Sequence, residues 1–333
     1  MHHLLIIGEN VEQHRAYFAR HFAVHTLSDA PDKDAKLAEI GPLIEGLCLS
    51  GGANPRGDKA LLDKLPNLSI VATLGVGVGV GQGAGHGIID VDAVKARGLV
   101  ATYGPGSNAT SVADLVLGFM LALSRRIIHF DRFTRDGRWA ATNSKGGYTD
   151  TITGKRVGIV GLGNIGRAVA QRCAGFDMEI GYHQRTPRSE VAYRYHGSVL
   201  ALAEASQYLV VSVPDSPETR GMIDAAVLEA LGRDGYLINV ARGSVVDEAA
   251  LIAALKDGTI AGAGLDVFQG EPNLNPELAR LDTVIVSPHR AAFTHDATLR
   301  MRDMMMDNLL AHFAGRPVPN PIPGFEETAR GRS

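Results

Sequence analysis

The sequence predicts an α/β protein built as two parallel, doubly wound units, the second inserted into a discontinuous first. Three observations lead there. Apolar strand-like runs alternate with helical spacing from the start of the chain; the alternation restarts with stronger signals near residue 151; and the helical run at 298–313 follows the last strand signal without being able to complete the second unit. Strands alternating with helices imply parallel sheets joined by right-handed crossovers. The expected boundaries are 1–101 with 290–333 for the first unit and 102–289 for the second.

In the first unit, residues 4–7 read as a short apolar strand and 11–22 carry helical spacing. Residues 47–50 and 69–74 are further apolar runs, each followed by glycine. Residues 90–97 (DVDAVKAR) read as a short capped helix and 99–102 as a strand. The apolar segment 112–124 (VADLVLGFMLALS) contains Asp114 and meets Arg125 and Arg126; it is too short to span a bilayer and reads as a buried helix. In the second unit a strand at 156–160 (RVGIV) leads into glycines and a helix ending at Ala174. Further strands are expected at 178–182, 208–213, 236–240, 260–265 and 283–287, with helices between most of them. No heptads, solenoid repeat or low-complexity tail interrupt the pattern.

Composition narrows the function. The chain is 45% hydrophobic and 21% charged, which suits a globular protein with a substantial core. Its 33 basic and 36 acidic side chains leave a net charge of −3, too balanced for a nucleic-acid or anionic-membrane surface. Cys48 and Cys173 are the only cysteines, so neither a disulfide framework nor a multi-cysteine metal site is expected, and a reducing, cytoplasmic compartment fits. The first residues carry no cationic flank or cleavage site of a secretory signal. Glycine is over-represented, with 39 in 333 residues against a usual share of about 7%.

One cluster of glycines has a mechanism. Gly161-Leu162-Gly163-Asn164-Ile165-Gly166 fits G-x-G-x-x-G between an apolar β-branched strand and a helix. In that setting glycines allow a tight turn and close approach of backbone to a pyrophosphate, whose charge a helix N-terminus favours. A site for unphosphorylated NAD usually carries Asp or Glu about 20 residues later. Here the second strand ends in His183-Gln184-Arg185-Thr186-Pro187-Arg188, without a carboxylate. Arg185 with Thr186, and Arg188 as a further candidate, suit a 2′-phosphate, so NADP is the expected cofactor, with NAD as the alternative.

Ligands of an open parallel sheet bind beyond the carboxyl ends of its strands. Past 236–240 comes Arg242; past 260–265 come Asp266 and then Glu271; past 283–287 comes His289. An arginine, a carboxylate and a histidine on one crevice suit carbonyl reduction. Histidine supplies a proton near neutral pH, a neighbouring glutamate favours its charged form, and arginine offers a planar fork for a carboxylate while stabilising developing negative charge.

These residues resemble the D-2-hydroxyacid dehydrogenase family over most of the chain, most densely from Leu99 to Ala292. The shared motifs are Ser111-Val112-Ala113-Asp114, the 161–166 glycine turn, Asn239-Val240-Ala241-Arg242-Gly243, Gly264-Leu265-Asp266-Val267-Phe268, Glu271-Pro272 and Pro288-His289. The resemblance implies a parallel, doubly wound cofactor domain inserted into a flavodoxin-like substrate domain. It implies Arg242 as binder of the substrate carboxylate and carbonyl, His289 as acid/base and Glu271 as its hydrogen-bonded partner. Cofactor contacts are implied at the glycine turn, His183, Gln184, Arg185, Thr186, Val213, Pro214, Val240, Ala241, Arg242, Asp266 and His289, with Asp266 near the nicotinamide amide. Within the family the basic second-strand turn is most similar to glyoxylate/hydroxypyruvate reductases that use NADPH. The expected substrate is a small 2-oxo or 2-hydroxy acid, and the expected assembly a homodimer through the cofactor domain. A dehydrogenase for a larger 2-oxo acid, and a nucleotide-sensing protein without turnover, are the competing readings.

Two departures stand out. The glycine repeat at 75–87 (GVGVGVGQGAGHG) cannot match G-x-G-x-x-G, because every glycine in it occupies an odd position. It reads either as a loop of backbone amides facing an anion or as a permissive strand–turn, and His86 within it is a candidate for a substrate-side role. Secondly, Arg290 follows His289 where the family has a small or apolar residue; it either adds positive charge near the pocket or points to solvent.

Overall fold

Two parallel sheets organise the chain. The structure, a computed structural model, describes residues 1–8, 10–51, 53, 56–75 and 89–330. The chain divides into two units, Met1–Asn108 with His295–Ser333, and Ala109–Thr294. Among the described residues no helix is long and apolar enough to cross a membrane.

The first unit holds β1 (His3–Ile7), β2 (Ala23–Thr26), β3 (Gly46–Leu49), β4 (Ile70–Thr73) and β5 (Val100–Thr102). Their order is β2-β1-β3-β4-β5, all parallel, which is the flavodoxin-like arrangement. Successive side chains alternate between faces, and both faces are buried. Leu5, Ile7, Leu47, Leu49 and Val71 fill one core, and Leu4, Ile6, Cys48, Ile70 and Ala72 fill the other. Near-continuous apolar strands are the consequence of that double burial. The helix His295–Phe313 packs Met305, Met306 and Leu309 onto the second of these faces. Asp32 and Asp90 cap the helices Lys33–Ile40 and Val91–Ala96 by accepting first-turn amide hydrogens.

Helical spacing at 11–22 is realised only over Val11–Phe18, although Phe22 remains in the core. The strand β2 was not expected. It is a half-buried edge strand of sequence AVHT, too short and mixed to show a period. Of the 75–87 repeat, only Gly75 falls among the described residues; the rest, His86 included, lies outside them.

The second unit holds β6 (Arg156–Val160), β7 (Glu179–His183), β8 (Arg194–Tyr195), β9 (Tyr208–Val211), β10 (Tyr236–Asn239), β11 (Gly262–Leu265) and β12 (Val284–Val286). Their order is β12-β11-β10-β9-β6-β7-β8, again parallel throughout. Counted from its own first strand, this is the 3-2-1-4-5-6 order of dinucleotide-binding sheets with a seventh strand at the far edge. Val157, Ile159, Val210 and Ile238 face a core shared with the helices Ala109–Ser124 and Asn164–Ala174. Val160, Leu209, Val211, Leu237 and Leu265 face the opposite core. The winding direction reverses between β6 and β9, so a crevice opens beyond the carboxyl ends of those strands. Strands β9, β10 and β12 end one or two residues earlier than expected, which puts the candidate site residues on the loops that follow them.

Candidate active site

Apart from His86, the candidate residues of the sequence belong to the second unit. Nearest the switch point is the glycine turn. Gly161 has φ +92°, a conformation that favours glycine, and a side chain there would meet Val213 Cγ1 at 2.8 Å. Its amide donates to the His183 carbonyl at 2.8 Å, which ties the turn to the end of β7. Leu162 is fully buried. A Cβ on Gly166 would come within 2.1 Å of the Gly161 carbonyl oxygen, so this glycine lets the helix close on the strand. Gly163 differs: a Cβ there would meet nothing within 4 Å. It is the N-cap of the helix Asn164–Ala174 and no side chain caps that helix. An uncapped helix N-terminus with open space over Gly163 is what a dinucleotide pyrophosphate requires. The residues present therefore fit that group.

The next turn follows β7. His183 Nδ1 lies 2.8 Å from the His196 carbonyl oxygen. The Tyr182 hydroxyl accepts the Arg188 amide at 2.8 Å, and the Gln184 side-chain amide donates to the Thr186 carbonyl. The loop is thus shaped by its own polar groups, and Arg185 and Thr186 are exposed on it. The two arginines have different surroundings. Arg188 is held by Glu190 at 2.8 Å, whereas Arg185 has no ion pair among the described residues.

The three strand-end groups come from β10, β11 and β12, which are adjacent in the sheet. Asn239, almost fully buried, closes β10: its Oδ1 accepts the Ala241 amide and its Nδ2 donates to the Arg242 carbonyl, both at 3.0 Å. That clasp turns the backbone at Val240 and Ala241, both buried, and presents Arg242. Gly243 then passes against the Phe268 carbonyl, where a Cβ would lie only 2.1 Å from its oxygen. Among the described residues the Arg242 guanidinium makes one hydrogen bond, from Nη1 to the Ala241 carbonyl at 2.5 Å. Burial pushes its pKa down, against the opposing pull of the carboxylates of Glu271, Asp215 and Asp266. None of the three approaches within ion-pair distance, so among the described residues most of the donors of the planar fork are not taken up, an arrangement that can accept a carboxylate.

Beyond β11 stands Asp266, 2% exposed. Its carbonyl accepts the His289 amide at 2.9 Å. Its carboxylate accepts the amides of Arg290 at 2.8 Å and Ala291 at 3.1 Å. Within the protein, this carboxylate grips the backbone that follows His289. His289 itself has φ +53°, left-handed for a non-glycine residue, a conformation that costs about 1–3 kcal/mol unless its surroundings hold it. Asp266 supplies three of the hydrogen bonds that do so. The imidazole Nδ1 lies 2.8 Å from Glu271 Oε2, and Glu271 Oε1 accepts the Phe268 amide at 3.1 Å. Glutamate and histidine are therefore in direct contact, with Arg242 electrostatically coupled to the glutamate.

Sequence reasoning gave no role to Asn239 or Asp215. A polar residue closing an otherwise apolar strand was the one available signal for the first. The second is recognisable only from the fold, because its partner Ser244 is 29 residues away. Of the two roles open for Arg290, the structure shows an exposed side chain with the guanidinium 5.6 Å from the centre of the Phe293 ring.

Comparison with known proteins agrees with this construction. Residues 117–291 match the family described as D-isomer specific 2-hydroxyacid dehydrogenase, NAD binding domain. The chain is 41% identical over 274 residues to hydroxyphenylpyruvate reductase from Plectranthus scutellarioides, covering 82% of this chain and 84% of that protein. It is 40% identical over 272 residues to glyoxylate/hydroxypyruvate reductase A from Arabidopsis thaliana, with the same coverage. The crystal structure of an NADPH-dependent glyoxylate/hydroxypyruvate reductase from Sinorhizobium meliloti, in complex with NADP and malonate, superposes with a TM-score of 0.82 at 36% identity, covering 100% of this chain and 99% of that one. Similarity of this depth, over a sheet whose strand ends already bring histidine and glutamate together, means that the chain belongs to the D-isomer specific 2-hydroxyacid dehydrogenase family.

Proposed function

We propose that the protein reduces a small 2-oxo acid of the glyoxylate or hydroxypyruvate type to the D-2-hydroxy acid, with NADPH preferred over NADH. The observation that carries this reading is the 2.8 Å contact of His289 with Glu271, one strand end away from an arginine whose fork is open. Arg242 binds the substrate carboxylate and carbonyl, and its charge stabilises the negative charge that develops on the carbonyl oxygen. Glu271 accepts from His289 Nδ1, which fixes the ring, and Nε2 is the atom assigned to donate the proton. When bound, the reduced nicotinamide supplies the hydride. The glycine turn 161–166, with Val213, Pro214, Val240 and Ala241, is the proposed cofactor cradle, and Asp266 holds the His289 loop at its edge.

Preference for NADPH is supported by the absence of a carboxylate at the end of β7, by Arg185 standing without an ion pair among the described residues, and by the cofactor of the Sinorhizobium relative. In the same proposal 102–289 is the cofactor domain and 1–101 with 290–333 the substrate domain. A homodimer through the cofactor domain is supported by the helices Ile127–Arg135 and Arg138–Thr142, which bury no residue of their own. A cytoplasmic location is consistent with two buried, unpaired thiols, each with its pKa pushed up to about 12 by burial.

The test is cofactor oxidation with glyoxylate, hydroxypyruvate, hydroxyphenylpyruvate and longer 2-oxo acids, run with NADPH and with NADH. Turnover on the two small acids with a higher kcat/KM for NADPH is expected. Cofactor binding without turnover on any acid refutes the enzymatic reading, and a preference for NADH of about tenfold or more refutes the assignment of Arg185.

A further inference from the structure

One acidic side chain beside the site has no part in the reaction derived above. Strands β9 and β10 run in register with Val211 opposite Asn239, so the chain leaving β9 reaches Asp215 beside the chain that carries Arg242. Asp215 is pinned there. Its Oδ1 accepts the Ser244 hydroxyl at 2.8 Å, and the Gly221 amide donates to the Ser244 carbonyl at 2.8 Å. Ser244 is two residues beyond Arg242, and the Asp215 charge acts on the guanidinium alongside those of Glu271 and Asp266. Of the cations nearby among the described residues, Arg220 is largely exposed and pairs with Asp215 Oδ2 only at 3.6 Å, a long, solvent-screened contact, and Arg290 sits over the Phe293 ring.

We propose that Asp215 sets the charge preference of the substrate site, favouring 2-oxo acids with one carboxylate over those with two. The inference rests on Arg242 as the substrate-carboxylate binder. A carboxylate held by that fork brings the rest of a short acid within a few ångströms of the guanidinium. A second carboxylate there meets the charges of Asp215 and Glu271, which the long Arg220 contact offsets only in part. Like charges in a partly desolvated site repel far more strongly than in water. An uncharged chain of the same length escapes this penalty.

The experiment compares kcat/KM for 2-oxoglutarate with that for 2-oxopentanoate, which has the same chain length and one carboxylate fewer. Asp215→Asn keeps an oxygen to accept from Ser244 and removes the charge; it should raise the 2-oxoglutarate to 2-oxopentanoate ratio about tenfold. Ser244→Ala removes the hydrogen bond and keeps the charge, and should leave the ratio within about twofold of the wild-type value. In the unmodified protein the same ratio should rise with ionic strength as the repulsion is screened. An unchanged or lower ratio in Asp215→Asn overturns the proposal, as does an equal rise in Ser244→Ala or a ratio indifferent to salt. Turnover of glyoxylate by the unmodified protein, measured alongside, reports separately on the reductase reading.

Discussion

Two glycines three residues apart offer a sharp test of how the cofactor turn works. A methyl group on Gly166 would lie 2.1 Å from the Gly161 carbonyl oxygen and 3.1 Å from Ile159 Cγ2. The first obstacle is backbone, so strand and helix must separate by roughly 1 Å, an overpacking that costs about 3 kcal/mol. For a unit of this size that corresponds to a fall in Tm of about 6–12 °C. A methyl group on Gly163 meets nothing within 4 Å, and the backbone there, at φ −78° and ψ −155°, is open to alanine. Loss of the glycine N-cap costs several tenths of a kcal/mol, and the reduced freedom of the unfolded chain returns about 0.4–1 kcal/mol. Gly163→Ala should therefore unfold within about 2 °C of the unmodified protein. Its methyl would instead stand over the helix N-terminus, where a pyrophosphate makes charge-assisted hydrogen bonds of about 1.5–3 kcal/mol each. Loss of one such bond weakens NADPH binding at least about tenfold. Thermal unfolding and calorimetric titration with NADPH separate the two effects. Unchanged affinity in Gly163→Ala would show that the pyrophosphate does not sit on this turn, and an undisturbed Tm in Gly166→Ala would refute the packing account.

Three further outcomes follow from the same structure. Glu271→Gln removes the charge from the 2.8 Å contact with His289 and should lower kcat about ten- to hundredfold, the value of one charge-assisted hydrogen bond; steady-state rates within twofold of the unmodified enzyme would contradict it. His14, His25 and His196 all have pKa values lowered from 6.5, in each case chiefly by burial. The unfolded chain then takes up protons first, so the stability these groups contribute is present above about pH 6.5 and is lost as pH falls through their folded values. Scanning calorimetry should show Tm declining below about pH 6.5. The decline should be shallower in His14→Leu, whose side chain is 3% exposed with an unpartnered Nδ1, and an equal slope in both proteins would exclude His14 as a source. Trp139→Glu, on a helix with no buried residue and itself 49% exposed, should convert the proposed dimer to monomer by light scattering; an unchanged mass would place any interface elsewhere.

The sequence made legible the features that depend on local pattern. Both parallel sheets announced themselves because strands buried on two faces must be apolar along their length, as in β3, β4, β6 and β9. The glycine turn was legible because its backbone leaves few alternatives at Gly161 and Gly166. Strands β2 and β8 were not, being a half-buried edge and an exposed pair of residues that carry no period. Glu271 and His289 were legible as residue types following strands, yet their contact spans 18 residues and depends on adjacent strand order, which no local pattern encodes. Asp266 shows the limit most clearly: its partners are backbone amides of residues 290 and 291, which any residue but proline would supply.

That last point bears on how the site is held. Besides the His289–Glu271 contact, the charged side chains of the candidate site are positioned by buried polar residues that grip the backbone next to them. Asn239 closes on the amide and carbonyl flanking Arg242, and Asp266 closes on the amides after His289. With such anchoring the guanidinium has no carboxylate at ion-pair distance among the described residues, although three act on it. A direct ion pair would have occupied the fork that the proposed function gives to the substrate, and breaking it would have opposed binding. Backbone anchoring removes that conflict: the loop is held by hydrogen bonds that do not involve the guanidinium, which in the proposed function leaves the charge on Arg242 for the substrate carboxylate. The left-handed backbone at His289 fits the same logic, since a strained residue persists only where neighbouring bonds over-determine it.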